Sequence, residues 1–208
     1  MTESSAAFAQ LELAIVEARG ILQDLPEHDV VSRLHELKLR SFVLLCHAAF
    51  EEYLERVSLA VLSNSLKAFE KDGVVRDPLL AAGSFYKIVL ANEINVRFAG
   101  DRLQDVLDVV FKRAISEHKK AVDENHGVKT KDQDVLFLPL GIRLFEFDRI
   151  LSQSLNSFGE LRGGMAHGFG MKTIAPKAGQ EAKIHNMIRL ILSFDNFLCE
   201  RHVVKLDQ

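Results

Sequence analysis

With 208 residues, 48% of them apolar and 26% charged, the chain can bury one sizeable core and is too apolar to stay disordered. Its 26 basic and 29 acidic residues leave a formal charge of −3, which argues against broad tracking along duplex DNA but not against a local phosphate site. Cys46 and Cys199 lie far apart and suggest no disulfide framework, Met1-Thr2-Glu3-Ser4-Ser5 does not open a signal peptide, and no apolar run approaches the roughly 20 residues of a bilayer span, so a cytoplasmic location is expected.

The first element follows from Phe8, Leu11, Ile15, Ala18, Leu22 and Leu25, which recur every three or four residues on one helical face. Ser4 or Ser5 can cap this helix and Pro26 closes it. From about 29 to 70 a second stripe joins Leu39, Phe42, Cys46, Phe50, Tyr53 and Val57, and Phe42-Val43-Leu44-Leu45-Cys46 is apolar all round, as a central core segment would be. As one helix this stretch would reach about 60 Å, so a break is expected near Ser63-Asn64-Ser65.

Beyond Lys71-Asp72-Gly73 the pattern is less regular. Asp77-Pro78 has the form of an N-cap and a first-turn proline, and Asp101 can cap a helix carrying Leu103, Val106, Leu107, Val110, Phe111 and Ala114. Residues of about 122–134 lack an apolar period and are expected to form an exposed loop. The segment 138–167 is one kinked helix or two short ones. After a loop from Gly168 to Gln180, a last helix aligns Ile184, Met187, Ile188, Ile191, Phe194 and Leu198. No period-2 strand, repeat or low-complexity tract is visible. The class is all-α, a single domain over 1–208 with about 71–135 as a candidate insertion.

The chemically pointed feature is Arg162-Gly163-Gly164-Met165-Ala166-His167. Leu155, Phe158, Leu161 and Met165 give its helix an apolar face, while Arg162 and His167 stand about 140° apart around an ideal helix. Gly163 and Gly164 each weaken that helix by roughly 1 kcal/mol against alanine. Bringing both side chains to one substrate needs a distorted helix end or a second protomer. The plainer alternative is a capping arginine and a histidine stabilised by the helix dipole.

Arg162-x4-His167 resembles the R-x(4–6)-H signature of HEPN domains, helical nucleic-acid-associated domains of prokaryotic toxins and defence systems and of some eukaryotic ribonucleases. Glu160-Leu161-Arg162 through Ala166-His167-Gly168 is similar to the L-x-R-N-x-x-A-H-G form of the RiboL-PSP and MAE-type HEPN-like families. Leu44-Leu45-Cys46-His47-Ala48-Ala49-Phe50-Glu51-Glu52-Tyr53-Leu54 is similar to their long helix, and a closing helix after a loop completes three blocks over some 140 residues. The resemblance implies an HEPN-like helical bundle with an elaborated middle region. It also implies a metal-independent endoribonuclease of toxin or defence type, acting on RNA as a homodimer with Arg162 and His167 catalytic, and a cognate antitoxin as a further partner. The alternative is a non-catalytic HEPN dimer module that binds RNA, a nucleotide or a protein.

That chemistry suits the residues. Histidine transfers protons near neutral pH, and arginine offers a permanently charged fork for phosphoryl oxygens. No cofactor, metal or membrane partner is called for. The sequence departs from the family pattern at Gly163, where a polar residue, often Asn, is usual, and at Phe169, where some toxins carry a modifiable tyrosine.

Other candidates are plainer. Arg162-Gly163-Gly164 is superficially similar to RGG segments, but one copy inside an apolar period is not one. Glu51 either positions Arg162 or His167, as the family context implies, or is a solvated helix carboxylate. Cys46-His47 and Cys199-x2-His202 hold soft ligands without a tetrahedral set, so structural cysteines are expected. His118 and His126 are expected at the surface, and no phosphate-cradling glycine loop or nucleophile elbow is present.

Overall fold

The structure is a computed structural model describing residues 4–88, 103–167 and 174–202, with backbone only for 166, 167 and 202. Among these residues there are eight α-helices and no strand. They are α1 (Ala6–Arg19), α2 (Arg33–Asp72), α3 (Asp77–Phe85), α4 (Leu103–Asp123), α5 (Thr130–Phe137), α6 (Leu144–Phe147), α7 (Arg149–His167) and α8 (Lys177–His202).

The axis of the molecule is α2, whose 40 residues run about 60 Å without the expected break. Ser65, which pointed to a break, is buried and donates its hydroxyl to the Val61 carbonyl at 2.7 Å, so its polar group is satisfied by its own helix. The helix begins where Ser32 Oγ accepts from the His35 N–H at 3.2 Å. It ends at Gly73, whose φ of +68° is the left-handed cap that lets its N–H return to the Phe69 carbonyl.

Leu39, Phe42, Cys46, Phe50, Tyr53 and Val57 are all buried, as their stripe predicts. The all-round apolar segment is not buried all round, however. Phe42 and Val43 face inward, whereas Leu44 and Leu45 are 38% and 47% exposed on the outer side.

Around α2 stand α1, α4, α7 and α8, each touching it directly. Ser5 caps α1, its Oγ accepting from Phe8 N–H at 3.1 Å. The helix stops at Arg19 and passes through a 3-10 turn, Gly20–Leu22, before reaching Pro26. Asp195 on α8 is fully buried and accepts from Ser5 N–H at 2.7 Å, Ser5 Oγ at 2.5 Å and Tyr53 Oη at 3.1 Å. Three helices are thereby tied at one carboxylate, and burial pushes the Tyr53 hydroxyl well above its ordinary range.

Several local expectations shift. α3 starts at Asp77 itself, with Arg76 as the capping residue and no side-chain cap bond, because Pro78 enters at the second helical position. On α4 the inner residues Val106, Val110, Phe111 and Ala114 are buried but Leu103 is 70% exposed. Asp101, the expected cap, lies outside the described residues. Segment 138–167 resolves into a 3-10 turn (Leu138–Leu140) and two helices, α6 and α7. The aligned residues of α8 are buried except Ile188, which packs on the core half-covered.

Two expectations fail for one reason, polar side chains satisfied inside the protein. Residues 122–134 are not an exposed loop. Val122, Asn125, Val128 and Gln133 are buried, and α5 begins at Thr130. His118 is not at the surface but is wholly buried. Its Nδ1 lies 3.0 Å from Tyr86 Oη and its Nε2 3.3 Å from Ser58 Oγ. Burial lowers its pKa to about 4.

Candidate functional site

The motif helix α7 runs through Gly163-Gly164 to His167 without interruption, so Arg162 and the backbone of His167 stay about 140° apart. The distorted helix end that would align them within one chain is absent from the described residues. The side chain of His167, and Gly168 and Phe169 after it, lie outside those residues.

Arg162 is exposed, and among the described residues no hydrogen bond or ion pair engages its guanidinium. It borders a cavity of about 680 Å³ between α7, the middle of α2 and the α4–α5 connection. His47, Asn125, Lys129, Lys131, Asp132 and Gly163 are among the other lining residues.

The wall from 124 to 132 is built by bonds that sequence periodicity does not register. Asn125 Nδ2 donates to Glu55 Oε1 at 2.8 Å and to the Gly127 carbonyl at 3.2 Å. Burial raises the Glu55 pKa, against the opposing pull of that amide. Gln133 Nε2 donates to the Val128 and Ser152 carbonyls, and Ser152 Oγ returns a bond to Gln133 Oε1 at 2.6 Å. Thr130 N–H reaches Asn156 Oδ1 on α7 at 3.2 Å.

One glycine sets the approach. A Cβ on Gly159 would stand 2.9 Å from Lys129 Cγ and 3.4 Å from Val128 Cγ2, so any side chain there would push the Lys129 stem aside where the connection lies against α7. By contrast, a Cβ on Gly163 would meet nothing within 4 Å among the described residues. That position lines the cavity and is unoccupied by any described residue.

The opposite wall is α2. His47 is 3% exposed and its ring stacks on Phe158 at 6.2 Å between centroids, with planes 16° apart. Its Nδ1 faces Glu51 Oε2 at 3.4 Å, one turn along the same helix. Glu51 therefore meets His47, and no contact joins it to Arg162 among the described residues. Phe158 and Arg162 are four apart on α7. One turn on from Phe158, Arg162 therefore borders the same cavity as His47 and Lys129.

In the sequence His47 stands out as a soft ligand beside Cys46 and as part of the long-helix block, with no role of its own. The available signal was its i,i+4 spacing to Glu51 within an otherwise apolar stripe. Neither cysteine is primed for ligation: burial pushes the Cys46 thiol up to about 12, and burial aided by the Asp195 charge pushes Cys199 up to about 11. Among the described residues no group of three or more His, Cys, Asp or Glu could hold a metal ion. No described helix is long and apolar enough to cross a membrane.

Compared with known proteins, residues 11–200 match the model of a family described as RiboL-PSP-HEPN. No curated protein and no solved structure matches the chain.

Proposed function

Since the chain belongs to the RiboL-PSP-HEPN family, and HEPN domains generally dimerise and bind RNA, we propose that it is a metal-independent endoribonuclease of toxin or defence type working as a homodimer. Arg162 holds the scissile phosphate and stabilises its added negative charge, while His167 transfers protons. The RNA 2′-oxygen bonds to phosphorus, the bond from phosphorus to the 5′-oxygen breaks, and the products are a 2′,3′-cyclic phosphate and a 5′-hydroxyl.

The observation that carries this reading is an exposed arginine, unengaged among the described residues, at the rim of a cavity of about 680 Å³. The uninterrupted α7 supports a two-chain site, because residues 140° apart on one helix serve one phosphate best from different protomers. The exposed positions Leu34, Leu37, Ser41, Leu44 and Ala48 follow each other on α2 at spacings of three and four, a seam of the kind two helices share.

Arg162→Ala and His167→Ala, each shown to keep the wild-type oligomeric state, are expected to lose at least about 100-fold in cleavage of single-stranded RNA, with or without divalent metal. Wild-type protein that leaves diverse RNAs intact refutes the reading. The lack of a polar side chain at Gly163 favours a second one, a dimer that binds RNA without cutting it. Retention of RNA by the wild type without cleavage, weakened in Arg162→Ala, would select that alternative.

A further inference from the structure

We propose that His47, oriented by Glu51, is a second catalytic histidine of this site and the base that takes the proton from the RNA 2′-hydroxyl. The inference rests on the ribonuclease reading and assigns a residue to a role which that reading leaves to one histidine per chain.

Four observations converge on it. The ring forms part of the wall of the cavity that Arg162 and Gly163 also line. Its plane is fixed by stacking on Phe158, one turn before Arg162 on α7. Its Nδ1 faces the Glu51 carboxylate at 3.4 Å, which favours the tautomer with the proton on Nδ1 and a bare lone pair on Nε2. Finally, it is almost wholly buried and yet lines the cavity, as a base shielded from bulk solvent would. A carboxylate beside an imidazole and a cation for the phosphate are what proton abstraction beside a phosphodiester needs.

The step balances without a co-reactant. His47 Nε2 takes the 2′-hydroxyl proton, the 2′-oxygen bonds to phosphorus, and the departing 5′-oxygen receives a proton from the imidazolium of His167. His47 ends protonated and His167 neutral, and the next turnover restores both through solvent. The other charged groups of the cavity are Arg162 on α7, Glu124 at the end of α4, and Lys129, Lys131 and Asp132 at the start of α5, with His126 between. Any pH profile is read against these.

The test uses the full chain and a single-stranded RNA, with kcat and KM followed from pH 5 to 9. His47→Gln is expected to lower kcat by about 100-fold or more with KM little changed, and to flatten the acidic limb of the profile. Glu51→Gln, at a partly exposed position, is expected to give a smaller loss of the same kind. A second substrate carries sulfur in place of the scissile 5′-oxygen, a leaving group that needs no proton. On it His167→Ala recovers and His47→Gln does not.

If the wild type cuts and Arg162→Ala does not, while His47→Gln keeps rate and profile, the proposal is wrong and the ribonuclease reading stands. Rescue of His47→Gln by the sulfur substrate overturns the assignment as base. If His47→Gln does not fold, an unchanged rate and profile in Glu51→Gln refutes the proposal. A wild type that cuts no RNA removes both readings together.

Discussion

Two buried histidines project from neighbouring seams of the bundle, and they are satisfied in opposite ways. At the α2–α4 seam His118 has both ring nitrogens occupied. Ser58 spends its hydroxyl proton on the Glu55 carbonyl, so it accepts from Nε2–H, and the bare Nδ1 then accepts from Tyr86. At the α2–α7 seam His47 has one nitrogen facing a carboxylate and an edge on a cavity. Burial alone therefore does not mark a functional histidine. The difference lies in whether a ring nitrogen is left for something that is not protein.

The strongest challenge to that contrast is acid. His118 falls from 6.5 to about 4 on folding, so the folded state binds fewer protons and stability rises with pH. Its contribution is present above pH 6.5 and is lost as the pH falls toward 4, by about 3 kcal/mol in all. Urea midpoints of the wild type should therefore drop faster over this window than those of His118→Gln. Parallel curves would show that the seam tolerates a charged ring.

A smaller effect separates the two seams directly. Tyr86→Phe removes the donor to Nδ1 and should cost about 1 kcal/mol in urea unfolding, with RNA cleavage per folded molecule unchanged. A parallel fall in cleavage would mean that the seams are coupled.

The smallest effect sharpens the open side. Because no described residue lies within 4 Å of a Cβ at Gly163, Gly163→Asn should fit and raise helix stability by a few tenths of a kcal/mol in thermal melts. Faster cleavage by this variant is expected if a polar side chain there orients the phosphate. A destabilised variant would show that the space is not free.

The parts of the fold legible in the sequence are those whose burial follows hydrophobic period. These include α1, α8 and the inner stripe of α2, where Phe42, Cys46, Phe50 and Tyr53 all face inward. Illegible were the elements held by buried polar bonds. Ser65 reads as a breaker until its hydroxyl is seen bonded to Val61, and Asn125 and Gln133 read as solvated until their amides are traced to Glu55, Val128 and Ser152. Likewise, Arg162 stood out through its motif, but the wall facing it did not. Lys129 and His47 come to the cavity that Arg162 borders through a missing Cβ at Gly159 and a stacking contact on Phe158, neither of which leaves a periodic trace.

The Asp195 knot has a kinetic meaning. Ser5 and Asp195 are separated by 190 positions, and the cost of closing so long a loop must be met before their hydrogen bonds return anything. α1 can pack early on α2, its neighbour in sequence, but its bonds to Asp195 are expected to close only after α2 and α8 have found each other. A contact formed after the rate-limiting step does little for the speed of folding and much for the lifetime of the product. By that logic the first helix acts as a latch, and the durability of the folded chain depends on how seldom Ser5 lets go.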